Sequence, residues 1–299
     1  MGLIPSRAQL LLMLYIVASL GGAFFCLYNC ACVKNEKATH SKTNILKPLD
    51  CPIVMVSPKI STATTASASR AHSSSYASHE SNSLAAWINP EYLDQKTIAS
   101  LKADFNNSKP YRYLEASEFF LHHRLVEVLK ALLEEKFYNK ESDLFKFNQT
   151  QDLKNTESKV LKEFINFLYS KEFIAYMQHL TDFLFSKTVD IAGTLYEDTN
   201  FLLCHDDQLD DRKIAFLCYL STVEETDGGS LALYNAQKSK DHADGRETWL
   251  PTTVAKRIYP SFNKLAFFEV SEISFHEVEE VITSETKRLA IGGWYYEQR

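Results

Sequence analysis

Lys213-Ile214-Ala215-Phe216-Leu217-Cys218-Tyr219-Leu220 carries one charge and is otherwise rich in side chains that favour extended backbone. Four further short runs of the same texture surround it: Ser230 to Tyr234, Lys264 to Val270, Ser274 to Val278 and Arg288 to Trp294. Gly228-Gly229 and Pro260-Ser261-Phe262-Asn263 supply turn chemistry between them. Strands this short and this closely spaced predict a sandwich or barrel of the jelly-roll kind over residues 188–299. The fold class expected is α+β, with flanking helices packed outside the barrel.

Upstream, residues 84–187 read as the helical part of the same domain. Pro90 suits the first turn of a helix running to Phe105. Leu121, Leu125, Val128 and Leu132 recur at helical spacing, as do Val160, Phe164 and Phe167, and then Phe173, Met177, Leu180 and Leu184. Such stripes are core. His122, His123 and His179 among them read as surface or packed residues rather than metal ligands.

Residues 34–83 read as a flexible linker: between Ser61 and Ser83, 12 of 23 residues are Ser or Thr and five are Ala, too little apolar surface to offset the entropy of ordering. Ahead of it, residues 8–33 are 26 residues without a formal charge. At about 1.5 Å per residue such a run crosses a hydrocarbon core of about 30 Å, which predicts a transmembrane signal anchor after a short tail of residues 1–7. A cleavable signal peptide ending near Gly21-Gly22-Ala23 is the alternative, although its apolar region normally lasts about 7 to 15 residues. Lys34, Lys37, Lys42 and Lys47 outnumber Arg7, which favours a cytoplasmic catalytic part. The opening Met1-Gly2-Leu3-Ile4-Pro5-Ser6 fits a loose myristoylation pattern, with Cys30 or Cys32 available for palmitoylation, and points to the opposite side. Sequons at Asn106 and Asn148 leave the choice open.

A chain of 299 residues, 45% hydrophobic, can bury a full core, and its net charge of -6 gives no reason to expect direct nucleic-acid binding. Six cysteines, three of them crowded at Cys26, Cys30 and Cys32, form no disulfide framework. Cys204 and Cys218 read as small buried hydrophobes in strands.

The chemistry-bearing residues begin at His205-Asp206-Asp207. In a strand, His205 and Asp207 project from one face about 6 to 7 Å apart, so one metal can sit between them. His276 is the third ligand expected. Two imidazoles and one carboxylate hold Fe(II) on one face and leave positions open for a cosubstrate and O2. Twelve residues beyond His276 stands Arg288, whose guanidinium can pair with the far carboxylate of 2-oxoglutarate, and Tyr219 faces the same interior if Ile214, Phe216 and Cys218 face away. An H-x-D alone carries little weight, since nine histidines produce one by chance at roughly even odds. The order of the whole set carries the reading.

At these residues the chain resembles the iron(II)- and 2-oxoglutarate-dependent prolyl hydroxylases that modify a small-subunit ribosomal protein. The likeness runs through Leu202 to Asp207, Ile214 to Leu220, Gly228 to Tyr234, Asn263 to Ser271, Ser274 to Val278 and Arg288 to Trp294. It also takes in an upstream motif, Asp143-Leu144-Phe145-Lys146-Phe147-Asn148-Gln149-Thr150-Gln151-Asp152-Leu153. The resemblance implies a double-stranded β-helix, iron held by His205, Asp207 and His276, and cosubstrate held by Arg288 with Tyr219. It implies oxidative decarboxylation of 2-oxoglutarate to succinate and CO2 coupled to substrate hydroxylation, with ascorbate as a supporting reductant and a protein substrate, a ribosomal protein among the candidates. Two features depart from the family: the membrane segment at residues 8–33, and a connection from Tyr234 to Arg257 that looks long. A catalytically silent membrane-tethered binding module on the same fold, or an oxygenase with a non-prolyl substrate, are the alternatives.

Overall fold

The computed structural model describes residues 83–188, 190–209, 211–240 and 247–298. The expected tail, membrane span and all but the last residue of the linker lie outside these residues, and among the described residues no helix is long and apolar enough to cross a membrane. The polar stretch around His242 also lies outside them.

Eleven strands form one antiparallel sheet that curls into a nearly closed barrel, ordered β1-β9-β6-β11-β4-β3-β5-β10-β7-β8 with β2 on β3. The strands are β1 (Tyr113–Ala116), β2 (Phe137–Ser142), β3 (Phe145–Thr150), β4 (Asp190–Tyr196), β5 (Phe201–His205), β6 (Arg212–Tyr219), β7 (Leu231–Lys240), β8 (Glu247–Ile258), β9 (Leu265–Glu269), β10 (His276–Val278) and β11 (Arg288–Tyr296). The two ends of the order, β1 and β8, meet through side chains: Glu115 Oε1 lies 2.7 Å from Lys256 Nζ, and its other oxygen 3.1 Å from Lys264 Nζ. Those lysines hold the Glu115 carboxyl below its usual range although burial opposes them.

Alternation on the central strands separates two cores. Ile214, Phe216 and Cys218 of β6 and Leu289, Ile291 and Tyr295 of β11 face four helices, packing with Phe164, Phe167 and Phe173. Ala215, Tyr219 and Ala290 point the other way, into the barrel, with Leu231, Leu233 and Phe268. The jelly-roll expectation therefore holds, and so does the inward direction of Tyr219.

The helices are α1 (Gln95–Asn107), α2 (His122–Leu133), α3 (Lys159–Leu168) and α4 (Lys171–Thr181). The helix expected from Pro90 is split: Pro90–Leu93 is a short 3-10 turn, and Asp94 in extended backbone then caps α1 by accepting from the Lys96 and Thr97 amides. Leu184 leaves its stripe because Asp182, in left-handed conformation, ends α4, and its side chain is exposed. His122, His123 and His179 are exposed.

The helical reading of residues 84–187 needs correction, because β1, β2 and β3 lie within it and belong to the barrel sheet. The upstream motif is β3, hairpinned to β2 through Asp143-Leu144. The long connection before Arg257 is not a loop either: β7 and β8 pair from Leu231↔Ile258 out to Lys240↔Glu247 as an extended ribbon.

Candidate metal and cosubstrate centre

His205 and His276 stand 71 residues apart in sequence but face each other directly across the β5–β10 pair. Their ring centroids are 4.2 Å apart. Between His276↔His205 and Val278↔Leu202, two steps of β10 oppose three of β5, so β5 carries a bulge. A bulge shifts the side-chain alternation by one residue. Here it turns both Leu202 and His205 into the barrel and leaves Leu203 exposed.

Each imidazole is locked by a carbonyl two residues earlier: His205 Nδ1 lies 2.9 Å from Leu203 O, and His276 Nδ1 lies 2.8 Å from Ser274 O. A carbonyl can only accept, so both Nδ1 atoms donate, and in the neutral rings it is Nε2 that offers a lone pair to a metal. Those two Nε2 atoms each lie 3.4 Å from one oxygen of Asp207. The three ligand atoms fall within 4.8 Å of one another, all from buried side chains.

Asp207 reaches this point by a route other than the one expected. The strand ends at His205, so the pair does not share a strand face; Asp207 sits beyond it with φ 60°, a left-handed conformation Asp tolerates better than most side chains. Trp294 Nε1 donates to Asp207 Oδ2 at 3.1 Å and holds the carboxylate there. The Arg212 guanidinium carbon stands over the Trp294 ring, 3.6 Å from its centroid, and Arg212 pairs with Asp190 at 3.2 Å. Neither Trp294 nor Arg212 was singled out from sequence. The signal for Trp294 lay in the alternation of β11, which aligns 288, 290, 292 and 294 on the inner face.

Burial opposes charge on Asp207, yet the His205 and His276 rings hold its carboxyl well below the usual range. Burial likewise lowers the basicity of His205, and Asp207 more than reverses it. The three groups together demand positive charge.

Arg288 is completely buried near the other end of β11. Its Nε donates to Gly229 O at 2.8 Å, and its Nη2 lies 3.5 Å from the Tyr219 hydroxyl. The Tyr196 ring stands 4.9 Å from the guanidinium. Burial raises the Tyr219 pKa despite Arg288, so Tyr219 stays a neutral phenol able to donate. No acidic side chain pairs with Arg288 among the described residues. Gly229, at φ 66°, passes so close that an added Cβ would lie 3.4 Å from Arg288 Cδ.

Among the described residues, two sealed side-chain polar atoms have no hydrogen-bond partner: Asp207 Oδ1 and Arg288 Nη1. Native proteins rarely leave such atoms unpaired. One asks for a cation and the other for an anion, and both line a single cavity of about 510 Å³. Between Arg288 and Trp294 the inward positions are Ala290 and Gly292, small enough to leave room. His205, Asp207 and His276 would hold a divalent metal and Arg288 would pair with a carboxylate of a dicarboxylate cosubstrate, which fits both demands.

Residues 191–296 match the family model described as 2OG-Fe(II) oxygenase superfamily. Those residues are a 2OG-Fe(II) oxygenase domain. Over 168 residues, 56% of its length, the chain is 40% identical to the prolyl 3-hydroxylase OGFOD1 of Mus musculus. Over 229 residues, 69% of the chain, it is 33% identical to the prolyl 3,4-dihydroxylase OGFOD1 of Ostreococcus tauri. The chain spans only 29% and 43% of the lengths of these two relatives. Among solved structures, a Trichoplax adhaerens prolyl hydroxylase in complex with a hypoxia inducible factor oxygen degradation domain peptide fragment shares the fold, with TM-score 0.51 at 18% identity. That alignment covers 68% of this chain and 91% of the other.

Proposed function

We propose that this chain is an Fe(II)- and 2-oxoglutarate-dependent dioxygenase that hydroxylates a prolyl residue of a protein substrate. His205, Asp207 and His276 hold the metal, and Arg288 with Tyr219 holds the cosubstrate's far carboxylate. The observation that carries the reading is the pair of orphaned buried atoms, Asp207 Oδ1 and Arg288 Nη1, facing one cavity with opposite charge requirements. When bound, Fe(II) supplies O2 activation coupled to loss of CO2 from 2-oxoglutarate.

The chain's own residues prepare that chemistry. The Leu203 and Ser274 carbonyls fix the two imidazoles in the ligating tautomer. Trp294 donates to Asp207 Oδ2 and leaves Oδ1, which has no hydrogen bond although Arg212 Nη1 stands 3.9 Å away, for the ion. Arg288, Tyr219 and Tyr196 orient the cosubstrate from the closed end of the barrel, and the apolar side chains around them exclude water.

The prolyl substrate is supported by the similarity to prolyl hydroxylases, and a ribosomal-protein substrate by the resemblance alone. Ascorbate is proposed as the reductant that restores Fe(II), and a membrane tether rests on residues 8–33 alone. Succinate formation by the full chain with Fe(II), 2-oxoglutarate, ascorbate and proline-containing peptides, including peptides from a small-subunit ribosomal protein, tests the reading. His276→Ala is expected to abolish turnover. Full activity in that variant removes the metal assignment.

A further inference from the structure

The upstream motif lines the cavity with side chains that the metal and cosubstrate do not use, Gln149 among them. On β3, Phe145, Phe147 and Gln149 alternate onto the inner face. Phe147 stacks on Tyr196 with centroids 5.0 Å apart, closing the wall beside Arg288. One inward position farther along stands Gln149, only 8% exposed and lining the cavity. Its side chain makes no hydrogen bond or ion pair with any described residue, although its backbone is paired on both sides, to Tyr138 and to Thr194. Its carboxamide is not among the sealed atoms that lack partners, so it reaches the cavity and can exchange water for the hydrogen bonds of a ligand.

Its place in the sheet argues about what that partner is. Gln149 aligns with Thr194 on β4, and Thr194 with Ala290 on β11, so a floor of small side chains separates it from the strand that bears Arg288. Two strand spacings, roughly 10 Å, lie between β3 and β11. Gln149 is thus offset from the cosubstrate's anchor and lies toward β2, where Tyr138, directly opposite it, is more than a third exposed at the cavity mouth. A carboxamide is neutral and offers two donors and one acceptor, the complement of a main-chain peptide group with one N–H and one C=O.

We propose that Gln149 is a substrate-binding residue whose carboxamide pairs with a main-chain peptide group of the polypeptide substrate and so sets the substrate's register beside the metal centre. The proposal rests on the oxygenase reading for what happens next, but its recognition step stands separately.

The test measures binding rather than turnover. Fluorescent proline-containing decapeptides are titrated anaerobically into the full chain with Mn(II), with and without 2-oxoglutarate, using the wild type, Gln149→Leu and Gln149→Asn. The expected result is a loss of tenfold or more in peptide affinity for Gln149→Leu, a smaller loss for Gln149→Asn, and 2-oxoglutarate affinity within twofold of wild type in both. A backbone N-methyl scan of the best peptide is expected to find one position whose methylation costs the wild type about as much as the Leu substitution, and costs Gln149→Leu nothing. If Gln149→Leu folds poorly, Gln149→Asn takes its place in the scan, where the same methylation is expected to cost less than it costs the wild type. Equal peptide affinity in wild type and Gln149→Leu, a parallel loss of 2-oxoglutarate binding, or a wild type that binds none of the peptides each overturns the proposal. A wild type that binds peptide in a Gln149-dependent way but never 2-oxoglutarate strikes the oxygenase reading and leaves this one standing.

Discussion

Replacing Arg288 with Met separates the cost of the guanidinium from its use. The side chain is fully buried with one donor, Nη1, unmade and no carboxylate beside it. Taking a charge out of water costs several kcal/mol per ion even after relaxation. Against that, Arg288 donates to Gly229 O at 2.8 Å and stands 4.9 Å from the Tyr196 ring and 5.2 Å from the Tyr219 ring. The hydrogen bond to Gly229 contributes roughly 1.5–3 kcal/mol and a desolvated cation–π contact about 2 kcal/mol. The terms nearly offset, so the ligand-free stability of Arg288→Met is expected within about 2 kcal/mol of wild type. The linked stability is different. A ligand that binds only the folded state at about 100 times its Kd adds about 2.7 kcal/mol. In a domain of this size that is about 5–10 °C in Tm. Differential scanning fluorimetry with Mn(II), with and without saturating 2-oxoglutarate, reads both quantities. The wild type is expected to show the rise and Arg288→Met to lose it while melting near the ligand-free wild type. A variant that keeps the full 2-oxoglutarate-dependent rise refutes the assignment of Arg288 to the cosubstrate carboxylate.

Three further outcomes follow from named contacts. Trp294→Phe keeps the ring and removes the 3.1 Å bond to Asp207 Oδ2, so metal affinity measured by chelator competition is expected to fall about 10- to 100-fold; affinity within twofold of wild type sinks the positioning role. Gly228 has φ 75°, and a Cβ there would lie 2.0 Å from Glu280 O, so Gly228→Ala is expected to lower Tm by several degrees, with an unchanged melt as the contrary result. Burial alone would raise the Glu269 pKa, but Arg112 and Lys213 hold it below the usual glutamate range. A carboxyl with a depressed folded pKa stabilises at pH above 4.5 and loses that contribution as pH falls through the folded value. In urea unfolding, Glu269→Gln is therefore expected to be less stable than wild type at neutral pH and to converge with it as pH falls through the lowered folded pKa; a gap that stays constant from neutral pH into acid contradicts the ion-pair account.

The barrel was legible where each strand carried its own period. In β6 the inner residues Ala215, Leu217 and Tyr219 alternate with Ile214, Phe216 and Cys218, and both faces are apolar because one meets the barrel interior and the other the helices. Strands β2 and β3 were harder to read. Their outward residues face solvent, and a polar hairpin such as Tyr138-Asn139-Lys140-Glu141 competes poorly with the strong helical stripes on either side. Still, Phe145-Lys146-Phe147 has period two, and the Asp143-Leu144 turn marks a hairpin. Ribbon β7–β8 hid for a related reason. Beyond Tyr234 it leaves the barrel, its side chains are mostly exposed, and so no apolar face marks it.

The order of His205, Asp207, His276 and Arg288 along the chain gives the residue types a metal and a dicarboxylate need, but sequence spacing cannot produce their convergence. That depends on a bulge in β5 and a left-handed turn at Asp207, both of which break the regular strand geometry from which the pairing of His205 with Asp207 was first inferred. A perfectly regular β5 would send either Leu202 or His205 outward, since the side-chain period is two. The site exists because the strand is irregular there, and the irregularity is held by contacts from other elements: Trp294 on β11, and Ser274, whose hydroxyl lies 3.2 Å from Asp206 O. Those holding residues act through a ligand or a loop rather than on the ion. Nothing in a ligand motif points to them, and they become visible only when the alternation of β11 is read outward from Arg288 to its last inward side chain.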